Sequence, residues 1–387
     1  MERLPALALV DRARTRAVVP MPGVPALPMP DHVVDAVREA AARVVPRQSQ
    51  GSPELRRVLA AHLRRNFGME VNPERELLVT HGAQQGMSVV LRALLSPGDE
   101  VLVPAPTYFF DGMVRMAGAR PVYVHSRAED GWATDVDALA AATTPRTRAI
   151  LLCNPNNPTG HTPSRAELSR ILALAAEKEL LVLSDESYAR YVHSGPGYVP
   201  QQTLRNEWPE LVTVTSLSKN YAFTQWRVGY VHAPAHLLER VHRAHEWDVI
   251  NVGDVPQAAA CAVIAGPQDW LDVVFSTFRH RRDVLCDAIE RAGLPVVRPV
   301  SGIFAFPDFS RLGVRGRDLE ELLLHHGITG LAGDAFHGPS GHARLLYGGA
   351  ETDLAEVGNR LATLAAPSTL GAPCTSRTPR TSQSPQP

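Results

Sequence analysis

Lysine is almost missing from this chain. Its 387 residues carry 39 lysine and arginine side chains together, yet only Lys178 and Lys219 are lysines. Arginine supplies the rest of the positive charge. A lysine kept against that background invites a chemical reason: an amine can lose its proton and attack a carbonyl, and a guanidinium cannot. Net charge is also missing. At −1, the chain sets up no global field that would favour nucleic acid or an anionic membrane. Cysteine is sparse, with Cys153, Cys261, Cys286 and Cys374 far apart. That spacing gives neither a metal site nor a disulfide framework and suits a reducing cytoplasm. Apolar runs are short: none approaches the roughly 18–20 residues of a membrane span. The opening MERLPALALVDRARTR is too brief in its apolar part for a secretory signal. Neither G-x-G-x-x-G nor a Walker A motif occurs.

What is present is alternation. Between residues 76 and 235 the short apolar runs ELLVT, EVLVP, PVYVH, AILLC, LLVLSD, LVTVTS and VGYVHA are separated by helical or loop segments. Nearly continuous apolar strands alternating with helices predict a buried, mostly parallel α/β sheet. Upstream, the proline-dense VVPMPGVPALPMPDH reads as an extended arm, with Asp31 as N-cap of the next helix. Ser52-Pro53 reads as N-cap and N1 of a second helix. Beyond a helical stretch, residues 286–365 together with 31–48 read as a smaller α+β domain and 49–285 as the large domain. Residues 1–30 are the arm. The tail 366–387, rich in Pro, Ser and Thr, reads as disordered.

Ligands of open α/β sheets bind beyond the carboxyl ends of the strands, so the residues immediately after each run carry the most information. ELLVT leads into HGAQQGM, a glycine-flanked turn opening a helix, which is an anion site in waiting. EVLVP leads to Tyr108, an aromatic that packing alone could explain. AILLC leads to NPNNPTG, a polar loop of amide donors. LLVLSD ends on Asp185, a carboxylate that needs a partner at the end of an apolar strand, with Tyr188 three residues on. LVTVTS leads to Lys219, flanked by Ser216 and Ser218, with Arg227 eight residues later. An anion cup, an aromatic plate, amide donors, an acid with a phenol, and an amine with an arginine are the parts that a pyridoxal phosphate site needs.

These motifs resemble those of the class I/II aminotransferases, the fold-type I pyridoxal phosphate enzymes, over about residues 20–365. The resemblance implies a mostly parallel seven-stranded sheet in a three-layer α/β/α large domain, with the smaller α+β domain beside it. It gives Lys219 to the internal aldimine, Asp185 to the pyridine nitrogen, and Asn157 and Tyr188 to the ring oxygen. Ser216, Ser218, Arg227 and the turn Gly82-Ala83-Gln84 fall to the phosphate, and Tyr108 to ring stacking. HARLLYGG resembles the family's terminal strand, which assigns Arg344 to the substrate α-carboxylate, and the arm motif puts Gly23 near the substrate. The implied reaction moves an amino group between an α-amino acid and a 2-keto acid in a cytoplasmic homodimer, the active site lying at the subunit interface.

The sequence departs from the family pattern at three places. Pro46 stands where relatives carry a tyrosine that reaches the partner's phosphate. Gln225 replaces a small residue, and His337 is expected near Arg344. These departures leave open β- or γ-elimination, replacement, annulation or cyclisation on an amino acid or S-adenosylmethionine. A transcription regulator with a degenerate enzyme domain is disfavoured, because no winged helix-turn-helix precedes the arm. The basic run FRHRRD reads as a solvated helix face, and His242, His245, His325 and His326 lack the partners of a metal site.

Overall fold

The computed structural model describes residues 3–24, 28–43, 48–195, 197–222 and 224–366. Pro46 and the tail from 367 onward lie outside the described residues. Each of the seven apolar runs forms a strand: β1 (Leu77–Thr80), β2 (Glu100–Ala105), β3 (Arg120–His125), β4 (Thr147–Cys153), β5 (Leu181–Asp185), β6 (Leu211–Ser216) and β7 (Gly229–His232). They join in one sheet of order β1-β7-β6-β5-β4-β2-β3. All neighbours are parallel except those of β7, which runs antiparallel to both β1 and β6.

The period-2 alternation of side chains divides each strand between two cores. Val101, Val103, Ala149, Leu151 and Leu183 pack with helices Gly82–Leu94 and Ala235–Val249. Leu102, Ile150, Leu152 and Val182 pack with helix Arg165–Glu177 on the other face. A sheet covered on both sides has no exposed face, which is why its strands read as unbroken apolar runs. The fold is α/β in three layers.

A second sheet of β8 (Phe304–Ala305), β9 (Gly330–Ala332) and β10 (Ala343–Leu346) is antiparallel, in the order β8-β10-β9. Helices Asp269–Arg291, Gly316–His325 and Glu351–Leu364 bury Leu285, Leu323, Val357 and Leu361 against it. Helix Asp31–Ala41 rests on helix Asp254–Ala265, and Val33 joins the apolar cluster of that helix and Pro53–Phe67.

Local signals hold at Ser52, whose side chain accepts the Leu55 N–H ahead of helix Pro53–Phe67. At Asp31 the reading is corrected. Pro30 is the N-cap, with no side-chain cap bond, and Asp31 is the first helical residue, where its charge still suits the helix dipole. Upstream of the proline-dense stretch, the first part of the arm forms a helix, Pro5–Ala13. Its Leu9 and Ala13 are buried beside Leu324, Leu331 and Phe336, so tertiary packing orders a segment too short to be stable alone.

Candidate active site

The parallel strands end at one edge of the large sheet and carry the chemistry with them. Leaving that edge are the turn at Gly82, the loop with Tyr108, the loop with Asn157, the segment Asp185–Tyr188 and the short helix Leu217–Asn220. The reversal of β7 completes the set. Because Ser216 pairs with Gly229 and Thr80 also pairs with Gly229, the residues just before β7, Arg227 among them, enter at the edge where β1 and β6 leave. Glycine is required at this junction. A Cβ on Gly229 would lie 2.8 Å from the Gly82 carbonyl carbon, and one on Gly82, whose φ is +76°, would lie 2.9 Å from Arg227 Nη2.

Ser216 caps the short helix by accepting the Ser218 N–H at 3.1 Å. Arg227 is exposed and donates from Nη1 to Ser218 Oγ at 2.9 Å. The turn Gly82-Ala83-Gln84 opens helix Gly82–Leu94 with its first N–H groups free of intrahelical partners, so anion donors from three segments meet here. Lys219 is half-buried. Burial, and then the positive charges of Arg344 and Arg227, bring its amine down to about 8.

Asp185 is buried. Its carboxylate accepts both the backbone N–H of Ser187 at 2.9 Å and the Ser187 hydroxyl. Burial outweighs those bonds and pushes its carboxyl up to about 6. Asn157 links two others: its Oδ1 accepts Arg344 Nη1 at 2.9 Å, and its Nδ2 approaches the Tyr188 hydroxyl at 3.5 Å. Burial raises the phenols of Tyr108, to about 12, and of Tyr188. The Tyr108 phenol also feels the charges of Asp185, Arg344 and Arg227.

Arg344 is boxed by three rings, Phe336 at 4.8 Å and Phe109 and Phe304 at 5.8 Å. Its Nε has no hydrogen-bond partner among the described residues.

One of the expected side chains stands apart and one expected glycine lies alongside. Gln84 is exposed and lines a cleft of about 610 Å³ with Phe109, Met113 and His337; only its backbone belongs to the anion turn. Gly23 lies against Ile303 and Leu346, the latter two residues along β10 from Arg344 and therefore on the same strand face. His337 is not where the sequence places it. It takes a left-handed conformation that ends a turn, and its ring stacks on Tyr123 at 3.8 Å; the neighbouring Phe336 meets Arg344 instead. Sequence reasoning missed Ser187, although it lies inside SDESY, and it missed the phenylalanine box. Phe109 comes directly after Tyr108, but Phe304 and Phe336 are brought in by the small sheet and carry no local signal.

A family model described as aminotransferase class I and II matches residues 24–361. The chain belongs to the class I and II aminotransferases. An arginine–pyruvate transaminase of Pseudomonas aeruginosa is 36% identical over 323 residues, covering 82% of this chain and 81% of the relative. A probable aspartate/prephenate aminotransferase of Thermus aquaticus is 32% identical over 88% of this chain and 89% of its own. Among solved structures, an aspartate aminotransferase from Thermus thermophilus with maleate superposes with a TM-score of 0.89 at 30% identity, over 94% of this chain and 97% of that one. This aminotransferase is thus a transferase of a family that uses pyridoxal phosphate, acting on amino and keto acids.

Proposed function

We propose that this aminotransferase binds pyridoxal phosphate at the strand edge carrying Lys219 and uses it to exchange an amino group between an α-amino acid and a 2-keto acid. The observation that carries the reading is the convergence at one strand edge of the buried Asp185 at the end of β5, Lys219 on the short helix just past β6, and Arg227 bonded to Ser218. Burial raises the carboxyl to about 6 and lowers the amine to about 8. The residues fit the cofactor in three respects. The buried Asp185 has Ser187 as its hydrogen-bond partner and suits a ring nitrogen. Arg227, Ser218 and the helix start at Gly82 suit a phosphate dianion. Arg344 keeps an unpartnered Nε beside a fork that suits a carboxylate.

Bound there, the cofactor supplies an electrophilic carbonyl and a ring that accepts the electrons released when the substrate's Cα–H bond breaks. The chain's own residues do the rest. Asp185, ionised at neutral pH, would hold a proton on the ring nitrogen. Tyr108 would cover a ring face, and Asn157 and Tyr188 would hold the ring oxygen. Arg344 grips the α-carboxylate in a bidentate fork, steadied by Asn157 and Phe336, with Gly23 nearby. Lys219 would be the amine that holds the cofactor, and its free amine would serve as the base that takes the proton from the substrate Cα. The names of the relatives span several side chains, so the reading addresses the shared part, the α-amine and α-carboxylate. A cytoplasmic homodimer belongs to the same proposal, on the family's habit.

One experiment tests this. The loaded protein is incubated with amino acids and no keto acid, then reduced with borohydride and mapped by mass spectrometry. Stoichiometric conversion of the cofactor to its amine form, with the reduced adduct of untreated protein on Lys219, supports transamination. Continued turnover with the aldehyde form retained sinks it in favour of elimination or cyclisation.

A further inference from the structure

Asn220 lies directly after Lys219 and is buried, 4% exposed. Its Nδ2 donates to the carbonyl of Glu186 at 3.3 Å, and its Oδ1 accepts the backbone N–H of Arg190 at 3.2 Å. Both bonds cross from the turn that carries Lys219 to the segment that carries Asp185 and Tyr188. The far side of that segment is held as well. The Gln201 N–H donates to the Glu186 carboxylate at 3.0 Å. The Arg190 guanidinium lies over Tyr221 and Phe275 at 5.0 and 4.9 Å and donates to Gln268 at 2.9 Å.

The bridge matters because the sheet stops setting the geometry here. The ladder between β5 and β6 ends at Asp185 opposite Val214, and the Glu186 N–H to Val214 carbonyl bond at 2.8 Å closes it. Past that point β5 leaves the sheet, while β6 stays paired with β7 alone as far as Ser216 opposite Gly229, and Lys219 lies three residues beyond Ser216 on the short helix Leu217–Asn220. Ladder hydrogen bonds cannot fix the amine against the acid over that interval; a buried side chain bonded to both loops can.

We propose that Asn220 is a positioning residue that clamps the Lys219 turn to the Asp185–Tyr188 segment and so fixes where the amine stands relative to the acid. The proposal rests on the roles proposed for Lys219 and Asp185. Asn220 itself touches no reacting atom. It acts by holding Lys219 in its buried place beside Arg344 and Arg227, where burial first and the two cations second lower its amine.

The scarcity of lysine makes the test clean. In the cofactor-free full chain, reductive methylation at a series of pH values labels Lys219 and Lys178, and Lys178 serves as the internal reference. The midpoint for Lys219 is expected near 8 in the parent chain. In Asn220→Ala it moves up by about one unit, because a loosened turn lets the amine reach solvent and drift from both arginines. In the loaded protein the same variant loses about tenfold or more in kcat, with KM within about threefold. Asn220→Leu keeps roughly the volume and adds no charge but removes both bonds. It shifts the midpoint the same way, and it decides the question if the alanine variant does not fold. A folded variant whose midpoint stays within about 0.2 units of the parent overturns the proposal, even if kcat and Tm fall together, since that pattern marks a bulk packing role. The underlying reading fails separately, if borohydride fixes the cofactor on Lys178 or on neither lysine of the parent chain.

Discussion

The two edges of the large sheet treat buried charge in opposite ways. At the edge where the parallel strands begin, Glu100 is fully buried, and Arg120, Arg146 and Thr144 all bond its carboxylate. Those partners hold it down to about 2. At the edge where the strands end, Asp185 is buried with Ser187 for its hydrogen-bond partner and stands near 6. The lysines divide in the same way. Lys178 lies at the first edge, in an ion pair with Glu177 at 2.8 Å, and Lys219 lies at the second, facing two arginines. A fold that can satisfy a buried carboxylate so thoroughly at one edge leaves one under-compensated at the other. The unspent interaction there is what a charged ligand can use.

The largest break in this comparison is Lys219→Arg. It keeps the charge and removes the chemistry, so loss of cofactor capture and a fall in kcat/KM of at least about 10⁴-fold are expected. Borohydride-fixed cofactor quantified on each variant checks it. Retention of a reducible visible band would return Lys219 to the role of a simple cation.

The two carboxylates should respond with opposite signs. Asp185→Asn is expected to cost about 10³-fold in kcat yet to stabilise the cofactor-free chain. Its folded-state value lies above the usual 3.8, so the folded form binds the proton more readily. That contribution is present below about 4 and is lost as pH rises through about 6. At neutral pH the loss amounts to about 3 kcal/mol, at 1.36 kcal/mol per unit, and a neutral asparagine avoids it. Thermal unfolding of cofactor-free protein at pH 7 should show a higher Tm for the variant, with the gap closing below about pH 4. Glu100→Gln should lower stability by about 1–2 kcal/mol and leave kcat alone. If both variants destabilise, the two edges are alike.

A tenfold effect per pH unit comes next. Capture of the cofactor by the free chain needs the neutral amine, and the raised neutral fraction at Lys219 reflects burial first and the two arginines second. The second-order rate of capture should therefore climb about tenfold per unit up to about pH 8 and then level off. Stopped-flow absorbance reads it, and a climb that continues to pH 10 would mean that the amine is unperturbed.

Much of this contrast was legible before the fold, and the illegible part has a physical reason. Seven apolar runs became seven strands because a sheet covered on both faces writes its burial directly into sequence. Lys219, Asp185, Asn157 and Arg227 stood out because each lies just after or just before such a run. The antiparallel sense of β7 was not legible, since hydrophobic pattern carries no strand direction, and yet that sense brings Arg227 to the right edge. Nor was β9, three residues long, or the left-handed turn that sends His337 to Tyr123. Asn220 was in plain view beside Lys219, but its two partners are backbone groups 34 and 30 residues away. A contact to backbone leaves no residue-type signature at either partner.

The smallest expected effect is also the sharpest control. Lys178 stands at the C-cap of helix Arg165–Glu177, is 39% exposed and pairs with its neighbour Glu177. Arginine preserves the charge at the helix end and the ion pair, and an exposed pair of this kind contributes about 0–1 kcal/mol. Lys178→Arg should therefore leave Tm within about a degree and kcat/KM within about twofold. The resulting chain has Lys219 as its sole lysine. Full activity and stoichiometric borohydride labelling in that variant would show that the chain needs only one amine, at the edge where the strands end. A fall in either would mean that the two edges are not as separate in function as they are in charge.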